Sequence, residues 1–167
     1  MSASSTGDVM ACGTYTGAGD FADGFSLPTS EGRDVWVAQY SAAGTLAWAR
    51  RYGGSGEDGG NSSPARVRCL PLPDGSYVIV AASDGPFDVG GTVVPGSSDS
   101  VVIARVASNG DALWTLRTSG PGALVAAAIS PADDELAVLL NFDGSTGLVS
   151  SFDTAGGTDI YAARISL

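Results

Sequence analysis

Histidine and lysine are missing from this chain of 167 residues, and only two cysteines occur in it. Without imidazole, no Ser-His-Asp or Cys-His arrangement can activate a nucleophile, and no histidine metal site can form. The eight basic residues are all arginine and stand against 18 acids, a formal charge of −10. That balance repels phosphate backbones and anionic lipid, and with no basic stripe to offset it, nucleic acid is not expected as a partner. No run approaches the roughly 18 apolar residues that a membrane helix needs. The opening residues, MSASSTGDVMACG, do not show the basic-then-apolar order of a secretory signal. Cys12 and Cys69 have no metal-type spacing and read either as two buried free thiols or as a disulfide between neighbouring sheets.

Long helical windows are scarce as well, because 24 glycines and 8 prolines interrupt the chain every few residues. What the sequence does contain is a repeat. The stretch 34–48, DVWVAQYSAAGTLAW, returns at 100–114 as SVVIARVASNGDALW and begins again at 159–167 as DIYAARISL. Trp48 and Trp114 are 66 residues apart, and so are Gly44 and Gly110. A period of this length points to a stacked array of sheets.

In the first copy, strands are expected at 8–15, 35–40 and 46–52, with a Gly/Asp-rich crossing at 16–32. The second copy adds an opening strand at 65–70 before the Pro73-Asp74-Gly75 turn, where Pro presets one turn angle and Gly supplies the other. SYVIVAA, SVVIARV and ALWTLRT follow it. The third copy offers 124–129, 136–142 and 160–165. About ten strands result, with the first copy lacking its opening strand and the last its closing one. Residues 123–129, ALVAAAI, contain good helix formers and are the place where a helix is most readily imagined. The strands are apolar along their whole length, so both faces of each sheet need cover. Sheets stacked face to face meet that need, whereas a single sandwich does not account for a module of roughly 60 residues.

Several segments carry a resemblance in fixed order: GDVMACGTY, then Asp20-Phe21 and Gly24, DVWVAQYSAAG and WARRYGG in the first copy. DGSYVIVAAS, FDVGG, DSVVIARVASNG and WTLRTSG follow in the second, and ELAVLLNF and DIYAARIS in the third, without a clear DFGG segment. The chain resembles the bacterial β-propeller repeats found in tandem in large secreted or surface proteins. That resemblance implies an all-β, propeller-like array of about three four-stranded antiparallel blades, over residues 1–63, 64–122 and 123–167, with incomplete terminal blades. It also implies an extracellular or cell-surface location. Propellers generally close with about four to eight blades, so further blades or a second copy are expected to complete the circle. The function expected is a non-catalytic binding or scaffolding module for a protein or carbohydrate ligand, with no cofactor and no metal; the alternatives are a lectin-like sugar binder and a glycan-acting enzyme.

The enzyme reading needs two carboxylates at a suitable separation, and the pairs on offer are Asp20 with Asp23, Glu57 with Asp58, and the group Asp133, Asp134 and Glu135. Each lies in a Gly- or Pro-rich loop, where acids are usually turn formers. The same loops carry too few acids for a calcium pattern, and Gly53-Gly54 and Gly59-Gly60 lack the lysine of a phosphate cradle. Trp48 and Trp114 occupy one repeat position and are expected between blades, while Trp36, whose counterparts are Val102 and Tyr161, is either core or a sugar platform. Arg50, Arg51, Arg105, Arg117 and Arg164 are expected to lie over apolar surface or to pair with loop acids.

Overall fold

The computed structural model describes every residue except 5–6, 22–23, 61–66, 97–98, 131, 133 and 149–151, together with the side chains at 152, 154 and 155. Three antiparallel meanders follow one another along the chain. The first sheet contains β1 (Ser2–Ala3), β2 (Val9–Thr16), β5 (Arg33–Tyr40) and β6 (Leu46–Tyr52) in that spatial order, with a short hairpin of β3 (Gly19–Asp20) and β4 (Ser26–Leu27) in its crossing. The second repeats the plan with β7 (Val67–Pro71), β8 (Tyr77–Ser83), β11 (Ser100–Val106) and β12 (Ala112–Arg117), and its crossing carries β9 (Phe87–Val89) and β10 (Thr92–Val94). The third consists of β13 (Ala123–Ile129), β14 (Glu135–Thr146) and β15 (Phe152–Ser166).

Ten strands of five residues or more, plus five short ones, make up this plan. Two expectations are corrected. The first copy does have an opening strand, the two-residue β1. The strand expected at 124–129 is present as β13, where Leu124 and its neighbours pair along β14 and tertiary pairing overrides local helix propensity. In the third copy the crossing is not a loop: β14 and β15 continue as one hairpin as far as Thr146 and Phe152, past a bulge between Asp143 and Ser145. Of the expected strand 65–70, residues 65 and 66 lie outside the described residues.

The tight turns are local in origin. At Ser41 to Thr45 and again at Ala107 to Asp111, Gly44 and Gly110 take left-handed φ values of 81° and 102°, which only glycine adopts without strain. Beside them a polar clamp recurs at one register position. Gln39 Nε2 donates to Asp8 Oδ2 at 3.4 Å; Arg105 donates to Ser76 Oγ at 3.1 Å and to Asp74 Oδ2 at 2.8 Å; Arg164 is bonded to Glu135. Gln39, Arg105 and Arg164 stand opposite Met10, Val78 and Ala137 respectively, so the three sheets superpose residue for residue there.

The second sheet lies between the other two. All of β8 and all of β11 except Arg105 are buried. One face sets Cys69, Tyr77, Ile79, Val102 and Ala104 against Met10, Val35, Val37 and Tyr52 of the first sheet, with Phe87 and Val89 of the small hairpin filling in. The other sets Val78, Val80, Val101 and Ile103 against Leu136, Val138 and Leu140 of the third. Each such side chain contributes about 1.5–3 kcal/mol by leaving water. Among the described residues the stack does not close into a barrel or ring.

Ile103→Ala, at a fully buried position between the second and third sheets, should cost roughly 2–4 kcal/mol in urea denaturation. Leu113→Ala, on a side chain 55% exposed, should change the same midpoint by less than about 0.5 kcal/mol. Equal costs would contradict the stacking.

Candidate functional site

The acids singled out in the sequence do not form an accessible pair. Asp20 is exposed at the end of β3, and its partner Asp23 lies outside the described residues. Asp133 also lies outside them. Asp134 accepts from Ser130 Oγ at 2.7 Å, and Glu135 pairs with Arg164, so both fasten a turn. Glu57 and Asp58 diverge: Glu57 is half-exposed and sits 3.8 Å from Arg33, while Asp58 points inward and is fully buried. Among the described residues, no three His, Cys, Asp or Glu side chains gather as a metal site would require.

The fold instead brings Asp58 to Asp34, at the end of the junction between the first and second sheets. Gly53 makes this possible. A Cβ at Gly53 would lie 2.5 Å from Asp34 Oδ1 and 2.6 Å from Asp58 Oδ2, so any larger residue would push the carboxylates apart. Arg51 Nε donates to Asp34 Oδ2 at 2.5 Å, and the Gly54 amide donates to Asp58 Oδ2 at 2.7 Å. The Oδ1 atoms of both acids are buried without a hydrogen-bond partner. Burial pushes the Asp58 carboxyl up to about 6, with Asp34 and Asp84 adding to the rise against the hydrogen bonds of Ser83 and Gly54. Burial also raises Asp34, opposed by Arg51. Sealed from solvent, this pair cannot meet a sugar ring; it stores charge inside the fold.

The second sheet differs at the matching position. Ser100, 66 residues after Asp34, replaces the acid, and Arg117, 66 after Arg51, bonds to Ser100 Oγ at 2.7 Å and to the carbonyls of Gly85 and Ser83 at 2.7 and 3.1 Å. At this end of the second and third sheets a cavity of about 540 Å³ opens, with Asp99, Asn141, Asp143 and Thr158 as its polar lining and Pro121 and Phe142 among its apolar walls. Backbone and side-chain oxygens with one amide suit hydroxyl-rich ligands, which both donate and accept.

The tryptophans divide. Trp48 stacks on Tyr77 of the next sheet at 5.4 Å, donates to Gln39 Oε1 at 2.8 Å, and carries the Arg50 guanidinium 4.3 Å above its ring. Trp114 packs against the core between the second and third sheets. Trp36 lies on the other side of the first sheet, half-buried over Gly13, whose missing Cβ would come within 2.9 Å of the indole, and Phe21 meets it edge-on at 5.3 Å. Arg50 reaches across to Tyr77 and to the Ser108 carbonyl. Cys12 and Cys69 are free thiols that face each other across the first junction. The hydrogen bond to Cys12, together with burial, holds the Cys69 thiol above its ordinary range.

Sequence reasoning missed the Asp34–Arg51 pair and the cavity. One signal was present for the first: Asp34 and Asp159 head the repeated strand, where the middle copy has Ser100. No protein-family model matches this chain, and neither a curated protein nor a solved structure does.

The buried carboxylates predict a pH dependence. Asp58 keeps its proton to about pH 6 in the folded chain but only to about 3.8 once unfolded, so the folded state binds more protons between those values. Stability on this account falls as pH rises through that window, by on the order of 3 kcal/mol in total. Asp58→Asn retains an acceptor for the Gly54 amide and removes the charge. Melting curves across the window should show a smaller loss toward neutral pH in the variant than in the parent; parallel curves would dismiss the buried charge.

Proposed function

We propose that this chain is a propeller-type array acting as a non-catalytic binding module of a secreted or surface protein, and that its ligand, a carbohydrate or similar polyol, occupies the cavity between the second and third sheets. The observation that carries the reading is the lining of that cavity: four polar side chains converge on a space of ligand size, and no titratable group there has the burial that acid–base catalysis needs. Asp99, Asn141, Asp143 and Thr158 are all exposed, so their hydrogen-bonding groups are open to a ligand arriving from solvent.

Three consecutive meanders with matching strand order, each set against the next, support the propeller arrangement. The repeated segments quoted above support the kinship with bacterial surface repeats. Two thiols facing each other across a sheet junction suit an oxidising compartment, where such pairs become disulfides.

Affinity electrophoresis through a panel of soluble polysaccharides should show retardation by at least one of them. Asn141→Ala with Asp143→Ala should remove most of it, about tenfold or more in Kd, while leaving the melting temperature unchanged, because both side chains are exposed. Reducing ends released from the retarding glycan would replace this reading by the enzyme reading. Unretarded migration in every glycan would refute the carbohydrate ligand.

A further inference from the structure

Each sheet has one face that the next sheet in the chain covers. In the first sheet that face carries Val35, Val37 and Gln39; in the second, Val101, Ile103 and Arg105. The strand alignment and the recurring polar clamp put Ile160, Ala162 and Arg164 at the same positions of the third sheet. Val35 and Val101 are fully buried, whereas Ile160 is 68% exposed. The third sheet therefore turns to solvent the face that its two predecessors bury.

That face has a shape. A depression of about 520 Å³ is floored by Ala126, Ala128, Ala137, Leu139 and Ala162, with Arg164 at its side. The small residues leave a hollow where bulky ones would fill it.

The first sheet has the complementary surplus. Its outer side corresponds to the side of the second sheet that covers the first: Trp36 stands where Val102 does, and Phe21 where Phe87 does. Val102 and Phe87 are buried in the first junction, but Trp36 and Phe21 remain half-exposed, packed edge to face with the indole lying over Gly13. A hollow lined by alanine at one end of the stack and an aromatic pair at the other are the two halves of one more junction of the kind the chain already makes twice.

We propose that the outer face of the third sheet binds the outer face of the first sheet of a second copy, Trp36 and Phe21 entering the alanine-floored hollow. The contact is heterologous, so two copies related by a twofold axis make it twice and close a ring of six sheets, within the range of about four to eight that such rings use. This rests on the propeller-type stacking proposed above and names the partner that completes it.

Light scattering coupled to size exclusion should give about 33 kDa, twice the 16.6 kDa of one chain, at about 50 µM. Ala162→Glu, at the exposed floor of the hollow, spoils only the hollow, and Trp36→Ala only the aromatic pair; each alone should run at the mass of one chain. Mixed in equal amounts they should regain a dimer, because one intact hollow then meets one intact aromatic pair, with affinity reduced by about 10²- to 10⁴-fold through loss of the second contact. Should Trp36→Ala fail to fold, judged by circular dichroism, Ala49→Glu on the same side of the first sheet replaces it. A monomeric parent, a dimer that survives either substitution, or no mixed dimer up to about 500 µM would overturn the proposal. Diamide treatment separates this failure from failure of the stacking itself. An intrachain Cys12–Cys69 disulfide in a monomer would leave the stack standing and remove only the ring, whereas equal costs for Ile103→Ala and Leu113→Ala would remove both.

Discussion

The structure depends on the second sheet having two apolar faces and no polar one. Along β8 and β11 successive side chains point to opposite sides, and nearly every one is buried. A sheet of that composition cannot rest with one face in water, so the first and third sheets are required by it. The flanking sheets reflect this asymmetrically: Leu136, Val138 and Leu140 of β14 are buried toward the centre, while Ala137 among them and Asn141 just beyond are exposed. Burial thus falls off outward from the middle of the chain, and the terminal copies are the less covered ones.

Polar contacts do not supply much of this stability, but they fix how the strands align. The recurring clamp from Gln39, Arg105 and Arg164 to the turn before the second strand of each sheet is solvent-facing, and each such pair contributes less than about 1 kcal/mol. Its use is geometric. A slip of one residue would carry every apolar side chain of the strand to the wrong face, and a polar residue tied to the turn marks the correct alignment. That the tie is an amide to a carboxylate in one copy and a guanidinium to a carboxylate in the others shows that position is retained while chemistry varies.

Much of this plan could be read from the sequence. Apolar runs bounded by Gly turns located the long strands, and the 66-residue spacing of Trp48 and Trp114 placed both rings between sheets. The segment after Phe142 was not legible, because its Gly- and Asp-rich composition matches that of the crossings in the earlier copies; only pairing with β15 makes it a strand. The all-alanine middle of β13 was ambiguous for the same reason, since alanine favours a helix until a neighbouring strand offers hydrogen bonds. The Asp34–Asp58 contact and the meeting of Cys12 with Cys69 join residues far apart in the chain, and no local pattern encodes them. Acids adjacent in sequence, such as Glu57 and Asp58, drew attention and turned out to face opposite ways.

The two links between consecutive sheets differ in length and in what they cover. Between β6 and β7 the chain runs through residues 53–66, fourteen in all, whereas between β12 and β13 it takes only the five residues 118–122. The longer link folds back over the end of the first junction: Asp58 enters beside Asp34, and Gly59 packs so closely on Thr14 that a Cβ would come within 2.2 Å of the Thr14 methyl. The shorter link cannot reach that far. Beside the shorter link, a space bordered by Asp99, Asn141 and Asp143 opens at the end of the second and third sheets. One strand plan thus carries a long link after the first sheet and a short one after the second, with no change to the strands beneath.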